Sequence, residues 1–141
     1  MSTLRILSAV LVLSSCNDLV APVPAELVGS WVLSEASAYK VPYECRNLRL
    51  EFTPDRRLVS ISGELKFITK VSITKRNEGF LIHQTIAEHN GKPNCQGRPA
   101  EYVISHFVPD VYFEPGGAVL RQFIWTKESG RFVEFVRAGS T

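Results

Sequence analysis

The sequence has almost no excess of basic over acidic side chains: 16 Lys and Arg stand against 14 Asp and Glu, a formal net charge of +2. That balance excludes a highly charged disordered tail and a polyanion binder that works by long-range attraction. Long apolar runs are missing as well. The longest mostly apolar stretch, residues 6–13, is far shorter than the ~20 residues a membrane-crossing helix requires. No convincing helical stretch is visible either. Motifs that carry chemistry are equally scarce, with no Cys-x-x-Cys pair, glycine-rich phosphate loop or His-Glu-x-x-His zinc helix, and no serine or cysteine in a nucleophile motif. His83, His89 and His106 fall in strand or loop contexts without such company. A non-catalytic protein without cofactor or metal is therefore expected, and nucleic acid is not among its expected partners.

What the sequence does have is alternation. Its 141 residues are 45% hydrophobic and 10% aromatic, enough for one packed core and too little for a second. Residues 47–53 place Leu48, Leu50 and Phe52 on one face and Arg49 and Glu51 on the other. Leu65, Phe67, Thr69, Val71 and Ile73 repeat the pattern over a run long enough to cross a small barrel with a bend, as do Phe80, Ile82, Gln84 and Ile86. Further strands are expected over residues 29–34, 57–62, 100–107, 111–113, 119–125 and 131–137. Turns at residues 53–56, 77–79, 114–117 and 128–130 punctuate them, and residues 88–99 read as a loop without assigned order. The fold expected is all-β, a small antiparallel up-and-down barrel of about eight strands, since closure removes exposed edges. An open sandwich is the alternative. The aromatic side chains, Trp125 among them, either fill such a barrel or line a cavity for an apolar ligand. In the second case Phe67, Ile82 and Phe123 are the residues expected to point at it.

The N-terminus has a different character. Arg5 precedes the apolar stretch, small residues follow, and Leu13-Ser14-Ser15-Cys16 closes the segment. This arrangement resembles the bacterial lipoprotein signal, in which an aliphatic residue and two small ones precede the cysteine that is acylated after cleavage. The resemblance implies that residues 1–15 are removed and that Cys16 becomes a lipid-bearing first residue. Residues 16–25, with Pro22 and Pro24, would be an extended tether, and residues 26–141 the barrel domain. It also implies a bacterial cell envelope location with the membrane as a partner. Asn17, where an aspartate would retain the protein, points to an outer membrane and a domain facing the periplasm. With Cys16 assigned to lipid, Cys45 and Cys95 remain as a disulfide pair in turn-rich contexts, suited to an oxidising compartment. The alternatives are free thiols or a zinc shell with His89, which lacks a fourth donor.

The stretch Pro24-Ala25-Glu26-Leu27-Val28-Gly29-Ser30-Trp31-Val32-Leu33 is similar to the start of lipocalin-like barrels, where a helical turn leads into Gly-x-Trp and the tryptophan closes the barrel floor. Gly29 and Trp31 are the structural match. It is also similar to the start of the periplasmic inhibitors of serralysin-type metalloproteases, small eight-stranded barrels with one disulfide. The resemblance implies a binding module, an inhibitor of an envelope or secreted hydrolase, with a carrier of a small apolar ligand as the alternative. For an envelope protein partner, Tyr43, Arg46, Lys92 and Arg98 in the cysteine-bearing loops are the candidate contacts. Mass spectrometry of the mature N-terminus is expected to find Cys16 first and acylated; an unmodified N-terminus created elsewhere refutes the lipoprotein assignment.

Overall fold

Eight strands form from the alternating segments: β1 (Gly29–Leu33), β2 (Arg49–Phe52), β3 (Arg57–Ser62), β4 (Leu65–Arg76), β5 (Gly79–His89), β6 (Asp110–Gly116), β7 (Val119–Phe123) and β8 (Phe132–Arg137). The computed structural model describes residues 21–124 and 127–139; Cys16 and Trp125 lie outside the described residues. Each strand pairs antiparallel with the next, and β8 returns to β1 through Leu33↔Phe135, Val32↔Val136 and Trp31↔Arg137. The chain is thus the all-β, closed, up-and-down barrel of eight strands that its alternation implies. The pairing of the two longest strands carries a bulge: Ile68 faces Glu88 and Thr69 faces Ile86, leaving Ala87 of β5 as the extra residue.

One face of every strand turns inward. Trp31, Phe52, Leu58, Ile82, Phe113 and Leu120 are buried to 2% exposure or less and pack into a single apolar cluster. Phe52 and Phe113 meet edge to face with ring centroids 5.5 Å apart, a geometry aromatic quadrupoles favour. Thr69 and Gln84 are the polar exceptions inside the wall, and Thr69 Oγ1 donates to Gln84 Oε1 at 2.9 Å.

An up-and-down barrel has two ends, and they differ here. At the entry end, residues 21–28 lead into β1 beside the tight turns 53–56, 77–78 and 117–118. A turn held by Leu27 N–H and Val28 N–H donating to Pro24 O carries the buried Leu27 into the core. Trp31 Nε1 donates to Leu27 O at 2.9 Å, and the Arg137 guanidinium lies 4.3 Å from the centroid of the indole ring. Arg137 then donates to Val28 O and Glu26 O at 2.8 and 3.1 Å. Gly29 has φ +124°, and a Cβ there would stand 2.9 Å from Arg137 Nη1, so the glycine of Gly-x-Trp makes room for this arginine. At the opposite, loop end the long connections 34–48, 90–109 and 124–131 gather.

Residues 100–107 correct the strand reading. They contain a helix, α1 (Ala100–Ser105), because β5 pairs directly with β6 from Phe80↔Phe113 to His83↔Asp110 and leaves no slot for another strand. Pro99 starts the helix, Ala100 is fully buried, and Tyr102 stacks on His106 one turn later with centroids 4.1 Å apart. Two 3₁₀ helices, Glu35–Lys40 and Tyr43–Cys45, also occupy the first long connection. Because Phe113 is buried against Phe52 at the centre of the barrel, Phe113→Ala is expected to cost about 3–5 kcal/mol. Chemical denaturation would check this, and a loss under about 1 kcal/mol would mean the core does not depend on that ring.

Candidate interaction surface at the loop end

The loop end is organised by a disulfide. Cys45, closing the 3₁₀ helix Tyr43–Cys45, is joined to Cys95 of the β5–α1 connection across a Cα separation of 5.1 Å. Two segments 50 residues apart in sequence are thereby fixed side by side. Ser62 supports the junction: its hydroxyl donates to Cys95 Sγ at 3.0 Å and accepts Cys95 N–H at 3.3 Å. Gly63 follows with φ +63°, and a Cβ there would come within 2.8 Å of the Cys95 backbone. A side chain at that turn would push the clipped loop away.

Residues 90–98, read from sequence as a loop without order, are in fact tied down by two asparagines. Asn90 donates to Glu64 O at 2.9 Å and accepts Lys66 N–H and Lys92 N–H at 3.1 and 3.2 Å. Asn94 Oδ1 accepts Gln96 N–H and Arg98 N–H at 3.0 and 2.9 Å, folding residues 94–98 onto themselves. The signal was present in Asn90 directly before Gly91 and Asn94 three residues before Gly97, since a short amide side chain near a glycine is the chemistry of a self-bonded turn.

On this framework Tyr43, Arg46, Lys92 and Arg98 are all exposed at the same end. The Arg46 guanidinium lies over the Tyr43 ring at 4.8 Å, and Arg98 lies over Tyr102 at the same distance. Tyr39 and Tyr43 are 75% and 77% exposed, and Tyr102, Val108 and Ile124 are exposed with them. These five are the exposed large apolar side chains among the described residues, and all of them sit on loop-end connections. Sequence alone does not single out Tyr39, Tyr102, Val108 and Ile124, since Tyr102 and Ile124 fall in alternating segments and Tyr39 and Val108 in connections. Val108 and Ile124 flank a cleft of about 220 Å³ together with Asp110, Val111, Gln122 and Phe123.

The residues expected to point at an interior ligand separate in space. Ile82 is fully buried in the apolar cluster, in register with Ile73 and Val111. Phe67 is half-buried near the loop end, where Phe107 meets it edge to face at 6.1 Å. Phe123 departs from the expectation: it alternates with the inward Leu120 and joins Tyr112 and Phe132 in a row of rings on the other face of the sheet, 5.5 and 5.6 Å between centroids. Its position as the last residue of β7, three after Leu120, fixes that direction. Gly29 and Trp31 lie at the entry end, remote from the clipped loops.

The histidines do not converge. His83 Nδ1 is 2.7 Å from Asp110 Oδ1, His89 Nδ1 accepts Gly91 N–H, and His106 stacks on Tyr102. Among the described residues, no group of three His, Cys, Asp or Glu side chains is arranged to hold a metal ion. No described helix is long and apolar enough to cross a membrane.

Comparison with family models, curated proteins and solved structures gives no match for this chain. The site therefore stands on its own geometry. A closed span of 50 residues corresponds to about 4 kcal/mol of restricted unfolded-state entropy, so the Cys45→Ser/Cys95→Ser double variant is expected to lose stability of that order. Equilibrium denaturation under non-reducing conditions measures it, and an unchanged midpoint would show the clip to be dispensable.

Proposed function

We propose that this protein is a non-catalytic envelope lipoprotein whose barrel carries a binding surface for another envelope protein at its loop end. The observation that supports this reading best is the gathering of Tyr39, Tyr43, Tyr102, Val108 and Ile124, the exposed large apolar side chains among the described residues, at one end of the barrel. Exposed apolar groups concentrated in one region are the usual mark of a protein contact, and tyrosine and arginine dominate the energetics of such contacts. The disulfide and the asparagine-tied turns hold that surface in one shape, which lowers the ordering cost of binding. A hydrolase of the envelope or of the secreted fraction is the partner class suggested by the resemblance to protease inhibitors.

The interior gives less support to the carrier reading. Trp31, Phe52, Ile82, Phe113 and Leu120 fill the barrel interior from the entry end as one packed cluster, and an apolar ligand there would have to displace them. The anchored location belongs to the same proposal, through acylation of Cys16 in the outer membrane.

A photo-crosslinking residue introduced at Tyr43 or Tyr102 in the native envelope is expected to capture one envelope protein, and the same residue at Lys70 on the barrel wall is not. Tyr43→Ala combined with Arg98→Ala is expected to weaken that complex by at least about 2 kcal/mol, roughly thirtyfold. Native mass spectrometry that finds a stoichiometric apolar adduct and no protein partner would instead favour the carrier.

A further inference from the structure

The entry end carries a feature that the loop-end surface does not use. Pro22 and Pro24 lie across a cleft of about 490 Å³ lined also by Ile73, Phe80, Arg56 and Lys75. Its walls are chiefly apolar, and two cations stand among them. Lys75 Nζ lies 4.6 Å from the centroid of the Phe80 ring, while Arg56 rises from the 53–56 turn. Arg76 follows next to Lys75 at the end of β4. Asp55 is engaged by Arg57 at 3.5 Å, and no carboxylate among the described residues pairs with Arg56, Lys75 or Arg76. Glu26 and Glu78 are exposed at this end, and Glu114 lies beside Arg76, because the Tyr112 hydroxyl donates to Glu114 Oε1 at 3.0 Å and to Arg76 O at 3.2 Å.

We propose that this cleft receives the headgroup of an anionic phospholipid from the membrane that holds the anchor, so that the barrel stands on the bilayer by its entry end with the clipped loops pointing away. The inference rests on the acylation of Cys16 proposed above. Its occupant follows from the position of the proposed anchor. Ala21 and Pro22 themselves line the cleft, and the five residue steps back to Cys16 reach at most about 18 Å when fully extended. A lipid-bearing Cys16 therefore keeps the cleft within reach of the headgroup layer. Arg56 and Lys75, which pair with no carboxylate among the described residues, meet phosphate there at high local concentration, and the apolar walls accept the glycerol and upper acyl segments. An anchor supplemented by a small basic surface also fixes orientation, which a flexible tether alone does not.

The test uses the mature acylated protein in vesicles of neutral phosphatidylcholine, with or without phosphatidylglycerol, and measures amine labelling by mass spectrometry. Lys75 is expected to label about fivefold more slowly in the anionic vesicles, the effect of one cation held at a charged surface. Lys92 and Lys66, at the loop end, are expected to label equally in both. Arg56→Gln is expected to restore much of the Lys75 reactivity in a protein whose circular dichroism is unchanged. Equal labelling of Lys75 in the two vesicles overturns the proposal, as does protection by inorganic phosphate alone or protection that persists without vesicles, where the chain's own residues would be the occupant. If Cys16 carries no acyl chain and the protein fails to float with vesicles, the anchor reading itself falls. An acylated, floating protein with an unprotected Lys75 leaves the anchor standing and removes only the headgroup site.

Discussion

Everything in this molecule depends on the seam between its first and last strands. Only three residue pairs close the barrel there, and the last of them joins Trp31 to Arg137. That pair does more than continue a ladder. The arginine lies on the indole ring and donates to two carbonyls of the turn that precedes β1, so the seam and the plug of the entry end are one structure. The hydrogen bond from Trp31 Nε1 to Leu27 O satisfies the one polar atom of a fully buried indole, which would otherwise be costly. If the seam opened, β1 and β8 would each present an unpaired edge and the apolar cluster would lose its first and last contributors.

Closure at one end leaves the other free to vary. The entry end has short turns, whereas the loop end carries connections long enough to hold three 3₁₀ helices, α1 and the disulfide. The disulfide does locally what the seam does for the barrel: it fixes two distant stretches of chain relative to one another. Ser62 and Gly63, at the neighbouring β3–β4 turn, supply a hydroxyl and an absence of side chain that let the clipped loop lie directly on the barrel rim. The loop end is thus an ordered surface even where it has no regular secondary structure.

The barrel was legible in the sequence because period-two alternation survives wherever one face is buried, as in Leu48, Leu50 and Phe52 or Leu65, Phe67 and Thr69. The helix was not, because Tyr102, Ile104 and His106 also alternate and Val103 and Ile104 are branched. What excludes a strand there is the direct pairing of β5 with β6, a fact about distant residues that local pattern does not contain. The disulfide was readable from loop context once two cysteines remained. Arg137 was not singled out, since an arginine near a chain end usually reads as a solvated charge, and only the Gly29 gap gives it a place over Trp31. The clustering of Tyr39, Tyr43 and Tyr102 required the topology that sends their two connections to the same end.

Closure also narrows the physics by which such a protein can recognise another. A sheet with a free edge can bind an extended peptide through main-chain hydrogen bonds, which are strong and largely indifferent to sequence. Here every described strand has a partner on both sides over part of its length, and the overhangs of the two longest, residues 72–76 of β4 and 85–89 of β5, are short edges paired on one side. Away from those edges, contacts can be made only by side chains and by the backbone of the connections. On the loop end the aromatic rings already lie against guanidinium groups, Tyr43 with Arg46 and Tyr102 with Arg98, so each anchor has a planar, charged neighbour before any partner arrives. A rigid ring with a fixed cation beside it loses little freedom on binding and selects for carboxylate-bearing or aromatic surfaces. Closure reduces the generic mode to two short strand edges, and the proposed recognition is thereby left to a few side chains held by the disulfide-clipped loops.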